Sequence, residues 1–334
     1  MDHHPVDCVV DHPHVHLRQQ TRGRLIPALT TSILAGQGPG WRLGPTLLAL
    51  LAGLAAEAAP TGTLVAAAGT EAAGVELRRN TLATADFGDA RLRATEQRVL
   101  LRGAPRPMGE AEFRWALDYG YQRFEYQGLP SRNRDLHRLE LPLAWRGDAA
   151  LSWVAEIRPV IASSSNVFQE IWSRGGSDDF LWHGRVLAGH APGGPRWGWQ
   201  LGLARDDAFG RERAYPLAAL LRQHQGVTME IGWPVTRAMI ELGRGVAAGG
   251  ELAPAGARWH VVSDEREGAS FDYEARAWRA GAILRWQTVR RLALHTRAGL
   301  EFERRHHFED DTGARVNRAV GEAAYLELGV GYRW

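Results

Sequence analysis

The sequence predicts an all-β fold: an antiparallel transmembrane β-barrel of about 12 strands, entered after a cleavable signal and a short flexible extension. Three observations predict it. Apolar and polar residues alternate with period two from residue 111 to the last residue. Short and long connections between the alternating runs take turns along the chain. Tryptophans gather near one set of run ends, where a membrane–water interface would place them.

The chain has 334 residues, with 40 basic and 38 acidic side chains and a net charge of +2. That balance implies no strongly basic face for nucleic acid or anionic lipid, and no nucleic-acid partner is expected. Every basic residue is arginine. Cys8 is the single cysteine, which excludes internal disulfides, a cysteine-based zinc site and a Cys-x-x-Cys redox pair. No cofactor and no bound metal are expected.

Residues 1–58 read as an upstream extension and a signal peptide. The apolar run 47–56 follows Arg42 and ends at Ala56-Glu57-Ala58, a small-x-small cleavage site. The five histidines between His3 and His16 lie upstream of this signal and are better explained by a misplaced start codon than by metal binding. Residues 59–110, rich in Ala, Gly and Arg, read as a flexible exported linker or plug that ends in Arg102-Gly103-Ala104-Pro105-Arg106-Pro107.

Residues 111–334 form the expected barrel. Phe113, Trp115, Leu117, Tyr119 and Tyr121 occupy every second position, and the pattern recurs in Leu139–Trp145, Leu151–Ile157, Trp197–Leu203 and Leu292–Phe302. The alternating segments are 111–126, 134–146, 149–161, 179–190, 196–205, 215–224, 227–233, 236–246, 256–263, 270–286, 291–304 and 320–334. An even number suits a barrel with both ends on one side of the membrane. Gly147-Asp148, Gln225-Gly226 and 287–290 are tight and fall where periplasmic turns belong. The stretches 163–178, 206–214 and 306–319 are long and fall where outer loops belong. Pro234-Val235 breaks this rule, being short where a loop is due, with a longer stretch at 247–255 after it; a misplaced strand boundary is expected there.

Trp115, Trp145, Trp197, Trp286 and Trp334 lie near the expected periplasmic ends and would form an aromatic girdle. The last strand carries Leu326, Leu328, Val330, Tyr332 and Trp334 at two-residue steps, ending on an aromatic residue. This resembles the assembly signal of bacterial outer-membrane barrels, with Leu328, Val330, Tyr332 and Trp334 as its core. The alternative of a soluble periplasmic β-sandwich binding protein would use shorter strands and a less aromatic outer row.

Arg213-Ala214-Tyr215-Pro216-Leu217, Gly232-Trp233-Pro234 and the long final hairpin resemble a proteobacterial outer-membrane β-barrel family classed as a domain of unknown function. The resemblance implies an outer-membrane barrel of a Gram-negative bacterium. It implies no substrate and no catalytic residue.

If the apolar row meets lipid, the other row lines the lumen. Its members are Arg114, Asp118, Arg138, Glu140, Glu156, Arg158, Arg185, Glu241, Glu274, Arg276, His295, Arg297, Glu301 and Glu327, together with Glu230, Arg237, Arg258, His260, Asp272 and Arg333. Near-balanced charge fits either a salt-bridged network filling a narrow barrel or a hydrated path for small polar solutes. A lipid-modifying hydrolase, of phospholipase or lipid A deacylase type, is the alternative. Its triad would be drawn from Ser164, Asn166 and His183. His306 and His307 with Glu309, Asp310 and Asp311 read as a solvated acidic loop rather than a cation site. Expected partners are the general secretion machinery, the barrel-assembly machinery, outer-membrane lipids and lipopolysaccharide.

Overall fold

The computed structural model describes residues 73–148, 151–190, 197–289 and 291–334. The expected signal peptide, the upstream extension and residues 59–72 lie outside the described residues. Among the described residues, nineteen strand segments form one sheet whose ends meet. Gly74–Leu82 pairs antiparallel with Ala90–Arg102 on one side and with Ala323–Arg333 on the other, which closes the ring.

Five pairs of segments are collinear along a shared partner, so the described ring has fourteen strands. In order, β1 joins Gly74–Leu82 and Ala85–Phe87, and β2 joins Ala90–Arg102 and Arg106–Met108. Then come β3 Ala111–Gln127, β4 (Arg134–Glu140 with Leu143–Asp148), β5 Ser152–Ser164, β6 Phe180–His190 and β7 Gly198–Asp206. After these follow β8 Arg213–His224, β9 Val227–Trp233, β10 Thr236–Gly243 and β11 (Val246–Pro254 with Ala257–Ser263). The ring ends with β12 Ala269–Val289, β13 Leu292–Glu309 and β14 (Arg315–Ala319 with Ala323–Arg333).

Two expectations are thereby corrected. The ring has fourteen strands rather than about twelve, and 74–108, expected as linker or plug, is wall. The added pair leaves the alternation of turns and loops unchanged. Gly109-Glu110, Gln225-Gly226 and Arg244-Gly245 join strands at the end that carries Gly74 and Trp334, here called the inner end. Residues 165–179, 207–212 and 310–314 join strands at the outer end. Pro234-Val235 is indeed a short outer connection, and 247–255 belongs to β11 rather than to a loop.

The long strands carry two polarities. On β3 the apolar residues Leu117, Tyr119 and Tyr121 lie on the outward row, while three residues further on the inward Phe124 and Tyr126 are buried. The same switch puts Phe87, Leu92, Leu136, Trp259, Tyr273 and Phe308 in one buried cluster inside the outer half of the barrel. Above the outward apolar band, an outward apolar side chain would meet water, so the hydrophobic effect turns the greasy row inward. Below the switch, Leu141, Leu201, Leu203, Leu284, Leu300, Leu326 and Leu328 are exposed on the outside. The outward row of β12 runs from Trp278 to Trp286, eight residue steps that cover about 20 Å along the barrel axis at ~3.4 Å per residue and ~40° tilt.

One contact crosses the ring. Ser163 of β5 pairs in parallel with His260 of β11, strands that are not neighbours around the barrel. The β5–β6 ladder ends at Ile161 opposite Phe180, and the β10–β11 ladder ends at Thr236 opposite Leu252. Both strands therefore continue upward with a free edge, and pairing satisfies those edges. The outer end is thus drawn shut around β1–β5 and β11–β14.

The faces give a direct test. Leu141 is 37% exposed and Glu140 is 6% exposed on adjacent residues. Leu141→Arg is expected to destabilise the folded barrel by about 2–4 kcal/mol, the cost of an arginine near mid-membrane. The check is the urea midpoint in lipid vesicles. An equal loss from Leu141→Thr would show that packing, not lipid contact, sets the effect.

Candidate functional site

The inward row of the lower barrel encloses a cavity of about 480 Å³. Arg114, Asp118, Arg138, Glu140, Glu156, Arg158, Arg185, Arg297, Glu301 and Glu327 all line it. The strand register brings opposite charges together in chains. Asp118 accepts from Arg98 at 2.6 Å; Glu140 lies 2.5 Å from Arg138 and 3.0 Å from Arg158; Glu156 lies 2.6 Å from Arg158 and 2.7 Å from Arg185. Glu301 sits between Arg279 at 2.5 Å and Arg304 at 3.3 Å. The ring of His295 bridges Glu76 at 2.9 Å and Glu327 at 3.2 Å. Arginine forks satisfy several carboxylate lone pairs at once, which lets so much charge sit inside a barrel wall.

Six expected lumen residues are placed elsewhere. Glu274 lies on the outside of β12, paired with Arg211 at 2.7 Å and His307 at 3.4 Å. Arg276 follows it on that face, although its side chain also borders the cavity. Asp272, likewise outward, binds Arg258 at 2.8 Å. All three belong to the outer part of β12, where Phe271, Tyr273 and Ala275 take the inward row. Arg258 and His260 lie on the outward face of β11, opposite Glu274 and Asp272 in the ladder, because Trp259 between them takes the inward side. His260 is 3.1 Å from Asp179. Glu241, expected in the lumen, is exposed beside the inner-end turn at Gly226. His306 is likewise no loop residue: it is buried in the apolar cluster, bonded to Tyr126 at 2.7 Å and Tyr273 at 2.9 Å.

The expected triad is not assembled. Ser164 Oγ donates to Asn166 Oδ1 at 2.6 Å and accepts from the Val262 amide at 3.3 Å, while Asn166 Nδ2 donates to the Val262 carbonyl at 2.8 Å. These residues staple β11 to β5 beside the Ser163–His260 contact. His183 faces the lumen instead, 3.5 Å from Arg138, and its Nε2 makes no hydrogen bond. Ser165 does meet a histidine, with His137 Nε2 at 2.8 Å and Tyr119 on the other ring nitrogen. That ring is buried under Phe168, stacked at 4.8 Å, so no substrate reaches it. In the neighbouring outer connection, hydrogen bonds from Arg174 and Asn166 hold the Asp264 carboxyl below the usual carboxylate range.

Sequence reasoning missed the residues that close the cavity. Asp207 is buried, and its carboxylate binds Arg138 at 2.7 and 2.9 Å and the Arg258 amide at 2.8 Å. It pins the 207–212 loop inward. The loop crosses a gap in the wall: the β8–β9 ladder stops at Ala218 opposite Trp233, so residues 213–217 of β8 and 253–257 of β11 rise past the Pro234-Val235 tip without a strand between them. Ala208 accepts from the Gly256 amide at 2.8 Å across this gap. Phe209 fills it, stacked on Trp233 at 5.8 Å, with Trp278 at 5.8 Å and Tyr215 at 5.1 Å. Gly210 follows at φ +83°, where a Cβ would come within 2.8 Å of Arg276 Cβ, so only glycine fits. The motifs 213–217 and 232–234 frame this side window.

The girdle residues Trp197, Trp286 and Trp334 are exposed at the inner end, joined there by Trp153 and Trp199. Trp115 and Trp145 are half-buried, the latter against Phe113 at 5.3 Å. Leu328 and Val330 face outward on β14, and Tyr332 is paired with Val75 in the closing ladder.

No family model matches the chain, so the family expected from its motifs finds no support there. No curated protein matches it either. Solved structures with a similar course include the translocator domain of the autotransporter NalP from Neisseria meningitidis, at 11% identity over 80% of this chain and 90% of that one, with a TM-score of 0.35. The toluene transporter TodX of Pseudomonas putida is 11% identical over 79% and 89%, at a TM-score of 0.34. LpxR from Salmonella typhimurium is 8% identical over 78% and 100%, at 0.33. The function is therefore argued from this chain's own residues.

Proposed function

We propose that the chain is an outer-membrane β-barrel of a Gram-negative bacterium whose lumen is a narrow passage for small polar solutes, held shut in the conformation described. Export by an N-terminal signal and insertion guided by the Trp334 strand belong to the same proposal. Support for the membrane comes from a closed sheet with an outward apolar band between tryptophan-bearing ends. A soluble sandwich would need two sheets packed face to face, whereas here one sheet closes on itself.

The observation that carries the passage is the ion-paired cavity of about 480 Å³ beneath an apolar outer core. A ring of fourteen strands lies nearer the wide barrels than the filled ones. Its interior is nevertheless narrowed by paired charges, by the β5–β11 contact and by the inward 207–212 loop. Near-balanced charge makes it weakly selective between cations and anions.

Planar-bilayer recording of the refolded chain tests this. Wild type is expected to give only small, infrequent conductance steps, and Phe209→Ala, which empties the side window, to give larger ones. Large steady wild-type currents would overturn the closed state. Silence from both proteins would overturn the passage. A parallel lipid-hydrolysis assay is expected to show no turnover; turnover abolished by Ser165→Ala would replace the passage with an enzyme.

A further inference from the structure

We propose that the outer face of β12 and β13, beside the side window, is a binding site for a phosphate-bearing lipid of the outer leaflet. A surface pocket of about 390 Å³ lies there, outside the barrel. Arg213, Arg276 and Arg305 line it, all exposed. Its carboxylate, Glu274, is already engaged by Arg211 at 2.7 Å and His307 at 3.4 Å. Among the described residues, the three remaining guanidinium groups have no carboxylate partner. Arg213 lies 3.8 Å over the Phe209 ring, and Arg305 donates to the Asn317 side-chain carbonyl at 3.2 Å.

The register makes this arrangement unfavourable when empty. Arg276 and Arg305 are direct cross-strand partners, and like charges directly opposite repel. A dianionic phosphate between them turns the repulsion into two charge-assisted contacts, with the planar forks suited to its oxygens. What lies just below selects a lipid rather than a free anion. Going toward mid-membrane, the outward row passes from Arg276 to Trp278 on β12 and from Arg305 through Phe302 to Leu300 on β13. Trp278 and the exposed Trp233 lie 5.5 Å apart, and Leu300 is exposed on the same face. Charge sits above aromatic rings and rings above aliphatic surface, the order of headgroup, interface and acyl chain. Arg276 borders both this pocket and the lumenal cavity, so the bound headgroup would lie against the 208–210 partition.

The inference rests on the membrane orientation proposed above, and the experiment is chosen to separate the two. The full chain, refolded in zwitterionic detergent micelles, is titrated with dihexanoyl phosphatidate, dihexanoyl phosphatidylcholine and inorganic phosphate by calorimetry. Folding is checked by heat-modifiable gel migration. A chain that does not fold in micelles fails the membrane reading; a folded chain tests the site alone. Saturable phosphatidate binding is expected, at least tenfold tighter than that of phosphatidylcholine or inorganic phosphate. Arg276→Gln with Arg305→Gln should weaken it at least tenfold and still fold, since the repulsive pair is gone. If that variant fails to fold, Arg213→Gln serves, with at least a threefold loss expected. Arg174→Gln, at a distant outer connection, should bind like wild type. Unchanged binding in the pocket variants would overturn the site. Phosphate binding as tight as phosphatidate would overturn its assignment to a lipid.

Discussion

Asp207→Ala is expected to raise the conductance of the reconstituted barrel several-fold while the ring of strands stays folded. Asp207 is 3% exposed and holds the 207–212 loop against Arg138 and the Arg258 amide. Removing one side of a buried charge pair costs about 3–5 kcal/mol. Arg138 keeps Glu140 at 2.5 Å, so the lower end, about 3 kcal/mol, applies. That loss is spent on the loop, because the strands on either side keep their own ladders. It multiplies the population of the released loop roughly a hundredfold. Limited proteolysis at the Arg211 and Arg213 bonds should accelerate together with the rise in current. Asp207→Asn, which keeps an acceptor for the Arg258 amide, should lie between wild type and alanine. Faster proteolysis without extra current would mean that the loop does not stand in the solute's path.

The largest loss of stability is expected from Glu301→Ala. The carboxylate is 5% exposed and lies between Arg279 and Arg304. Its removal leaves two guanidinium groups facing each other in the wall interior, with Arg304 retaining the Gly321 carbonyl at 2.9 Å and Arg279 the Tyr325 ring at 4.8 Å. The expected destabilisation is about 3–5 kcal/mol, read as a lower urea midpoint in vesicles. The double variant Arg279→Met with Glu301→Leu should recover most of it, because an apolar pair of similar volume carries no desolvation penalty. No recovery would show that Arg304, not Arg279, is the charge that Glu301 compensates.

The wall was legible in the sequence wherever the apolar row faced lipid. Segments such as 134–146, 227–233 and 270–286 lie within observed strands. β1 and β2 escaped because their outward rows are broken by charge: Arg79 on β1, and Arg91 and Arg93 on β2, with Leu92 and Ala94 turned inward instead. Glu274 and Arg276 were placed in the lumen for the same reason. A rule that reads apolar as outward holds only within the thickness of the bilayer, and these strands outgrow it. The spacing of Glu76, Arg78 and Asn80 at two-residue steps was the available sign that β1 carries a lumenal row. Asp207 could not be found this way, since a loop has no period and its partner Arg138 is brought to it by the closure of the ring.

The contact between Ser163 and His260 has a consequence for the order of assembly. Its two halves stand far apart along the chain and belong to strands separated by half the circumference, so it forms late whichever terminus leads. Until then the mouth stays wide, and water reaches the arginines and carboxylates within. Their dehydration is thereby postponed to the final step, when partners already stand opposite each charge.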